Sequence, residues 1–167
     1  MIQVYTGNGK GKSTAAFGLA LRAAGAGYKV YICQFLKKGH YCEITSLKKI
    51  KNIKVEQFGA TCFTRCALQK KDAELAKKGL SAVKKAIHSR RYSLIVLDEV
   101  NVALKLGLLS LAELLGILKK APRRVELVLT GRSAHPEIIR TADLVSEIKE
   151  KKHYYRKGTP ARKGIEF

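Results

Sequence analysis

Thr6-Gly7-Asn8-Gly9-Lys10-Gly11-Lys12-Ser13-Thr14 stands between a short β-branched run, Ile2-Gln3-Val4-Tyr5, and an alanine-rich stretch of helical character. Glycines let a backbone wrap closely around an anion, and successive N–H groups with the N-terminus of the following helix then point at phosphate oxygens. Lys12 adds a point charge, and the Ser13 hydroxyl suits a hard divalent cation such as Mg²⁺ or Mn²⁺. The order of strand, loop, Gly-Lys-Ser and helix is that of a phosphate-binding loop. One position departs from G-x-x-x-x-G-K-[ST]: the first glycine falls at position 6, where this chain has Thr6. Gly7, Asn8, Gly9, Lys10, Gly11, Lys12, Ser13 and Thr14 are therefore the candidate nucleotide ligands. A glycine-rich turn that merely caps a helix is the plainer alternative, and it leaves the Gly-Lys-Ser in this context unexplained.

Outward from the loop, short β-branched or aromatic runs at 2–5, 30–35, 55–58, 94–97, 125–129 and 144–148 alternate with helical patterns at 13–25, 68–91, 110–119 and 136–142. Such alternation predicts βαβ units and a mostly parallel sheet flanked by helices. The runs at 94–97 and 125–129 are mostly apolar, as strands covered on both faces are, so they should be central. Within 68–91, Ala76, Leu80, Val83 and Ile87 share one helical face. Lys70/Lys71, Lys77/Lys78 and Lys84/Lys85 fall opposite, at about 100° per residue. That face reads first as solvated surface and only second as a partner patch.

A chain of 167 residues with 46% hydrophobic and 28% charged content buries one core, so residues 1–167 are read as one domain. No secretory n-region or bilayer-length apolar run is present, so the expected location is the cytoplasm and no membrane association is expected. The cysteines Cys33, Cys42, Cys62 and Cys66 then read as reduced thiols; a metal shared by Cys62 and Cys66 lacks the C-x-x-C spacing. The net charge of +20 implies an anionic partner. Without an aromatic-interleaved signature, nucleic acid is not the expected one. His40, His88, His135 and His153 form no zinc spacing or obvious triad, and most of them read as surface residues. After Glu147 the chain turns polar and basic, a composition that by itself reads as disorder.

Two further strand ends carry chemistry. The carboxyl ends of parallel strands face the ligand crevice, so Asp98 and Glu99, after Leu94-Ile95-Val96-Leu97, should emerge beside the phosphate loop. One of them is expected to complete a Mg²⁺ shell with Ser13, directly or through water; a helix cap is the bland alternative. Thr130-Gly131-Arg132 brings a guanidinium to the same edge, suited to phosphate or carboxylate, or else simply exposed in a turn.

Together, residues 6–16, Gln34-Phe35-Leu36-Lys37, Leu97-Asp98-Glu99, Leu129-Thr130-Gly131-Arg132, Ala142-Asp143-Leu144-Val145-Ser146-Glu147, and Lys152-His153 with Gly158, Ala161 and Gly164-Ile165-Glu166-Phe167 closely resemble the bacterial P-loop ATP:corrinoid adenosyltransferases. The resemblance runs from end to end and implies a RecA-like P-loop fold. It implies a reaction in which a cob(I) corrinoid attacks C5′ of ATP and expels triphosphate. It also implies catalytic roles for Lys12, Glu99 and Arg132, a Mg²⁺ site at Ser13, Glu99 and Asp98, an ordered tail at 151–167 contributing to the site, a flavoprotein electron donor and a homodimer. The nucleophile is the reduced cobalt, so no serine, cysteine or histidine base is required.

Two departures accompany it. Relatives carry a tryptophan near the corrinoid; this chain has none, and the matching stretch reads Gly59-Ala60-Thr61-Cys62-Phe63-Thr64-Arg65-Cys66, which makes Phe63 and Arg65 the candidate corrinoid residues. Many relatives also begin with a helical extension, whereas here the first strand starts at once. The rival readings are a RecA-like ATPase acting on nucleic acid and a non-catalytic protein that senses ATP or carries a corrinoid.

Overall fold

The computed structural model describes residues 1–60 and 69–167. Its strands are β1 (Ile2–Thr6), β2 (Val30–Phe35), β3 (Ile53–Phe58), β4 (Leu94–Asp98), β5 (Glu126–Thr130) and β6 (Leu144–Glu147). They form one parallel sheet in the order β3-β2-β4-β5-β1-β6. The two apolar runs expected to be central, β4 and β5, lie in the middle of the sheet.

Alternation along the strands sorts the core into two layers. Val30, Ile32, Leu94, Val96 and Val128 face α1 (Lys12–Gly25) and α2 (Cys42–Leu47), where Ala16, Phe17, Ala20, Ile44 and Leu47 cover them. Tyr31, Cys33, Phe35, Ile95, Leu97, Leu127 and Leu129 face the other way, into the core that holds the buried residues of α3 (Lys70–His88), α4 (Val100–Lys105), α5 (Leu111–Lys120) and α6 (Pro136–Thr141). Helix α3 buries Ala76, Leu80, Val83 and Ile87 and exposes all three lysine pairs, as its periodicity requires.

Three elements escape sequence periodicity. α2 and α4 span six residues each, too short to show a helical repeat. The third is a 3₁₀ turn at Tyr154–Lys157 in the basic tail, where composition alone reads disorder. No helix among the described residues is long and apolar enough to cross a membrane. Phe63, Arg65, Cys62 and Cys66 lie outside the described residues.

Candidate functional site

All strands run in one direction, so the segments that follow β1, β2, β4, β5 and β6 emerge on one edge of the sheet, where the first four of them line a cleft of about 1020 Å³ with Glu43, Leu47 and the tail residues Ile165, Glu166 and Phe167. The phosphate loop is pinned from behind. Gly9 N–H donates to Ile148 O at 2.7 Å and Ile148 N–H donates to Thr6 O at 2.8 Å. Gly7 sits at φ +96°, and a Cβ there would lie 2.4 Å from Ile148 O, so only glycine fits. Thr6 is the last residue of β1; its hydroxyl accepts from Ala134 N–H at 3.3 Å, tying the loop to the segment after β5. The missing first glycine is thus replaced by a tether.

Lys12 is buried, and its Nζ donates to Gly9 O at 2.6 Å. Burial and then Arg132 lower its pKa, as does Lys37, against the raising influence of Glu99 and Asp98. An ammonium so placed gains from an arriving anion.

The two carboxylates have different surroundings. Asp98 is fully buried; Oδ2 accepts from Gln34 Nε2 at 2.9 Å and Oδ1 from the Thr130 hydroxyl at 2.7 Å. The same Thr130 oxygen accepts from Glu99 N–H at 2.9 Å. Glu99, at φ 62° before α4, is turned toward the cleft instead. Burial and then Asp98 raise its pKa, against the lowering influence of Lys37, Lys12 and Arg132. Lys37 bridges the pair, with Nζ 3.6 Å from Asp98 Oδ2 and 3.7 Å from Glu99 Oε1.

Hard oxygen donors at Ser13 and Glu99 beside a phosphate loop suit Mg²⁺, which takes its remaining ligands from phosphate and water. Both residues line the cleft beside the phosphate loop, in keeping with that fit. Among the described residues no group of three or more His, Cys, Asp or Glu side chains forms a self-sufficient metal site.

Lys10 is engaged by the tail. Its Nζ donates to the Tyr154 hydroxyl and to Glu166 Oε1, each at 2.8 Å. Tyr154 donates to the same carboxylate, Arg162 N–H donates to Glu166 Oε2 at 2.7 Å, and the Arg162 guanidinium stacks 4.8 Å from the Tyr154 ring. These bonds hold the Glu166 carboxyl far below the usual carboxylate range. A carboxyl with a depressed pKa contributes stability above its unfolded value, and that contribution is lost as pH falls through the acidic range. Glu166→Gln is therefore expected to speed deuterium uptake in residues 150–167 at neutral pH with little change in Tm. Uptake equal to the parent's would mean that other contacts anchor the tail.

Gly9, Lys10, Gly11, Lys12, Ser13, Thr14, Glu99 and Arg132 thus gather on one cleft, with Asp98 buried behind it; Gly7, which backs onto Ile148, and Asn8 do not line it. Sequence reading attached no role to Lys37 or to the Thr130 hydroxyl, although each stands at or just after a strand carboxyl end, the same signal that singled out Asp98.

Residues 1–167 match the family described as ATP:corrinoid adenosyltransferase BtuR/CobO/CobP. Similar proteins named corrinoid adenosyltransferase include one from Sinorhizobium, 36% identical, with all of this chain aligned to 80% of the relative. Another, from Pseudomonas aeruginosa, is 35% identical over all of this chain and 83% of its own length. One from Salmonella typhimurium is 35% identical over all of this chain and 85% of its own length. A crystal structure of a KaiC-like protein from Pyrococcus horikoshii superposes with a TM-score of 0.61 at 16% identity, covering 90% of this chain and 74% of that one, a likeness of RecA-like P-loop fold alone. With a match that spans every residue and relatives aligned over the whole chain, this chain belongs to the ATP:corrinoid adenosyltransferase family.

Proposed function

We propose that the chain transfers the 5′-deoxyadenosyl group of ATP to the Co(I) of a corrinoid and releases inorganic triphosphate. The observation that carries this reading is the convergence of the phosphate loop, Lys12, Arg132 and Glu99 on one cleft, a set suited to holding a triphosphate that departs intact. The loop amides and Lys12 bind the phosphates, and Arg132 neutralises charge on the departing end. Ser13 and Glu99 would hold Mg²⁺, with Asp98 behind them fixing the strand end. When bound with the nucleotide, that ion supplies countercharge to the triphosphate oxygens. The protein's further task is to orient C5′ toward cobalt, since the nucleophile comes with the corrinoid.

Leu21, Ile165 and Phe167 expose apolar surface along the cleft, suited to screening the adenosyl group from water. Phe63 and Arg65 are proposed for the corrinoid itself, the phenyl ring at its lower face and the guanidinium on its anionic periphery. Residues 1–167 act as one unit in this reading, with 151–167 forming a wall of the site. The +20 charge favours an acidic flavoprotein as electron donor. Leu144 and Val145, exposed on edge strand β6, are apolar surface that a second copy in a homodimer would cover.

The test is where ATP breaks. Incubation with ATP, Mg²⁺ and cob(I)alamin should yield triphosphate in equal amount to adenosylcobalamin. ADP and phosphate as the main products, above all if stimulated by polynucleotide, would overturn the reading in favour of a RecA-like ATPase.

A further inference from the structure

Lys37 has no part in the loop motif, yet the fold constrains it closely. It follows Leu36, a non-glycine residue at φ 61° whose N–H donates to Phe58 O at 3.1 Å. The end of β3 presses against this turn: a Cβ on Gly59 would lie 2.2 Å from Lys37 N. A left-handed Leu and a close backbone approach together send the Lys37 side chain over the ends of β2 and β4.

There the ammonium meets two carboxylates at 3.6 and 3.7 Å, beyond direct hydrogen-bond length, and the Tyr41 ring at 5.8 Å. Among the described residues it donates no direct hydrogen bond, although the side chain is only 26% exposed. Its N–H donors thus sit in the cleft in ion pairs with Asp98 and Glu99, with no direct hydrogen bond to another described residue. Lys37 lines the same cleft as Lys12, Ser13, Glu99 and Arg132, close enough to Lys12 for their charges to repel.

We infer that Lys37 is a further triphosphate-binding residue, whose charge stabilises the leaving group as the C5′–oxygen bond breaks. The inference rests on the adenosyl transfer proposed above. In that step the cobalt electron pair forms the Co–C5′ bond, and the electrons of the C5′–O bond pass to the α-phosphate oxygen. The triphosphate therefore gains one negative charge as it departs, and a cation within reach favours the transition state over bound ATP. Asp98 and Glu99 hold the ammonium at the site until phosphate oxygens take it.

The experiment compares Lys37→Gln, Lys37→Met, which keeps the packing of the stem, and Lys37→Arg. Calorimetric titration with inorganic triphosphate and Mg²⁺ is paired with single-turnover rates using ready-made cob(I)alamin. Both neutral variants are expected to bind triphosphate about tenfold more weakly or worse. Their single-turnover rates should fall by more than their ATP affinity, and Lys37→Arg should recover most of both. Triphosphate affinity within about twofold of the parent in either folded neutral variant would overturn the inference. So would tighter Mg²⁺ binding with unchanged triphosphate affinity, since Lys37 would then serve only to neutralise the carboxylates. Lys12→Ala run alongside separates the two readings: if it too leaves triphosphate binding intact, the phosphate-loop assignment fails, and not merely that of Lys37.

Discussion

Lys12→Ala is expected to weaken ATP binding by roughly a hundredfold or more, and to abolish measurable adenosyl transfer, while the protein stays folded. The site opposes the charge of the ammonium through burial and through its cationic neighbours Arg132 and Lys37, and the bond to Gly9 O is its only compensation from the loop. Glu99 and Asp98 offset only part of that cost, so the ammonium gains further from an anionic ligand. Truncation removes a desolvated charge, so Tm should move by no more than about 1 kcal/mol of stability would move it. Calorimetric titration with MgATP and a thermal melt check both halves. Near-parental affinity, or a collapse of Tm that accounts for the lost activity, would remove Lys12 from phosphate binding.

Asp98 and Glu99 stand next to each other in sequence and are expected to fail in opposite ways. Asp98→Ala should cost about 3 kcal/mol of stability, because it strips the acceptor from Gln34 Nε2 and the Thr130 hydroxyl and leaves Lys37 with one carboxylate fewer in a buried site. Glu99→Gln should leave the protein as stable or more so. The folded-state pKa of Glu99 is raised, so the folded state holds its proton more tightly than the unfolded chain. Stability from that carboxyl is present at acid pH and lost as pH rises through the raised pKa. In Mg²⁺-free buffer the Gln variant should therefore gain on the parent as pH rises from 4 toward 7. Its turnover should nonetheless fall by about tenfold to a hundredfold, with the Mg²⁺ midpoint displaced upward. Thermal melts across that pH range and Mg²⁺ titrations of rate test the pair. An unchanged Mg²⁺ midpoint in Glu99→Gln would assign the cation to Asp98 or to water-mediated contacts.

Much of this was legible in the sequence because the relevant signals are local. A loop that must wrap an anion needs glycines beside a Lys and a Ser, strands buried on both faces read as apolar runs, and a half-buried helix such as α3 shows its face through a repeat set by its own geometry. Short elements carry no such repeat, which is why α2 and α4 are silent. Composition misreads the tail for a related reason: a basic segment lacks a core of its own, and residues 150–167 are ordered by a carboxylate that finds its cation 156 residues away, in the Lys10–Glu166 pair.

From sequence alone came the parallel α/β class, the phosphate loop and the gathering of three strand ends on one edge, since strand direction and side-chain alternation follow from residue type and spacing. Family membership rests on a likeness that spans the chain. The tertiary structure decided how the charges are paired. Asp98 is committed to Gln34 and Thr130 while Glu99 faces the cleft, Lys37 stands between them, Thr6 tethers the loop in place of a glycine, and Lys10 belongs to the tail. Electrostatic and hydrogen-bond partners are fixed by distances of a few ångströms between residues far apart along the chain, and no local pattern encodes them.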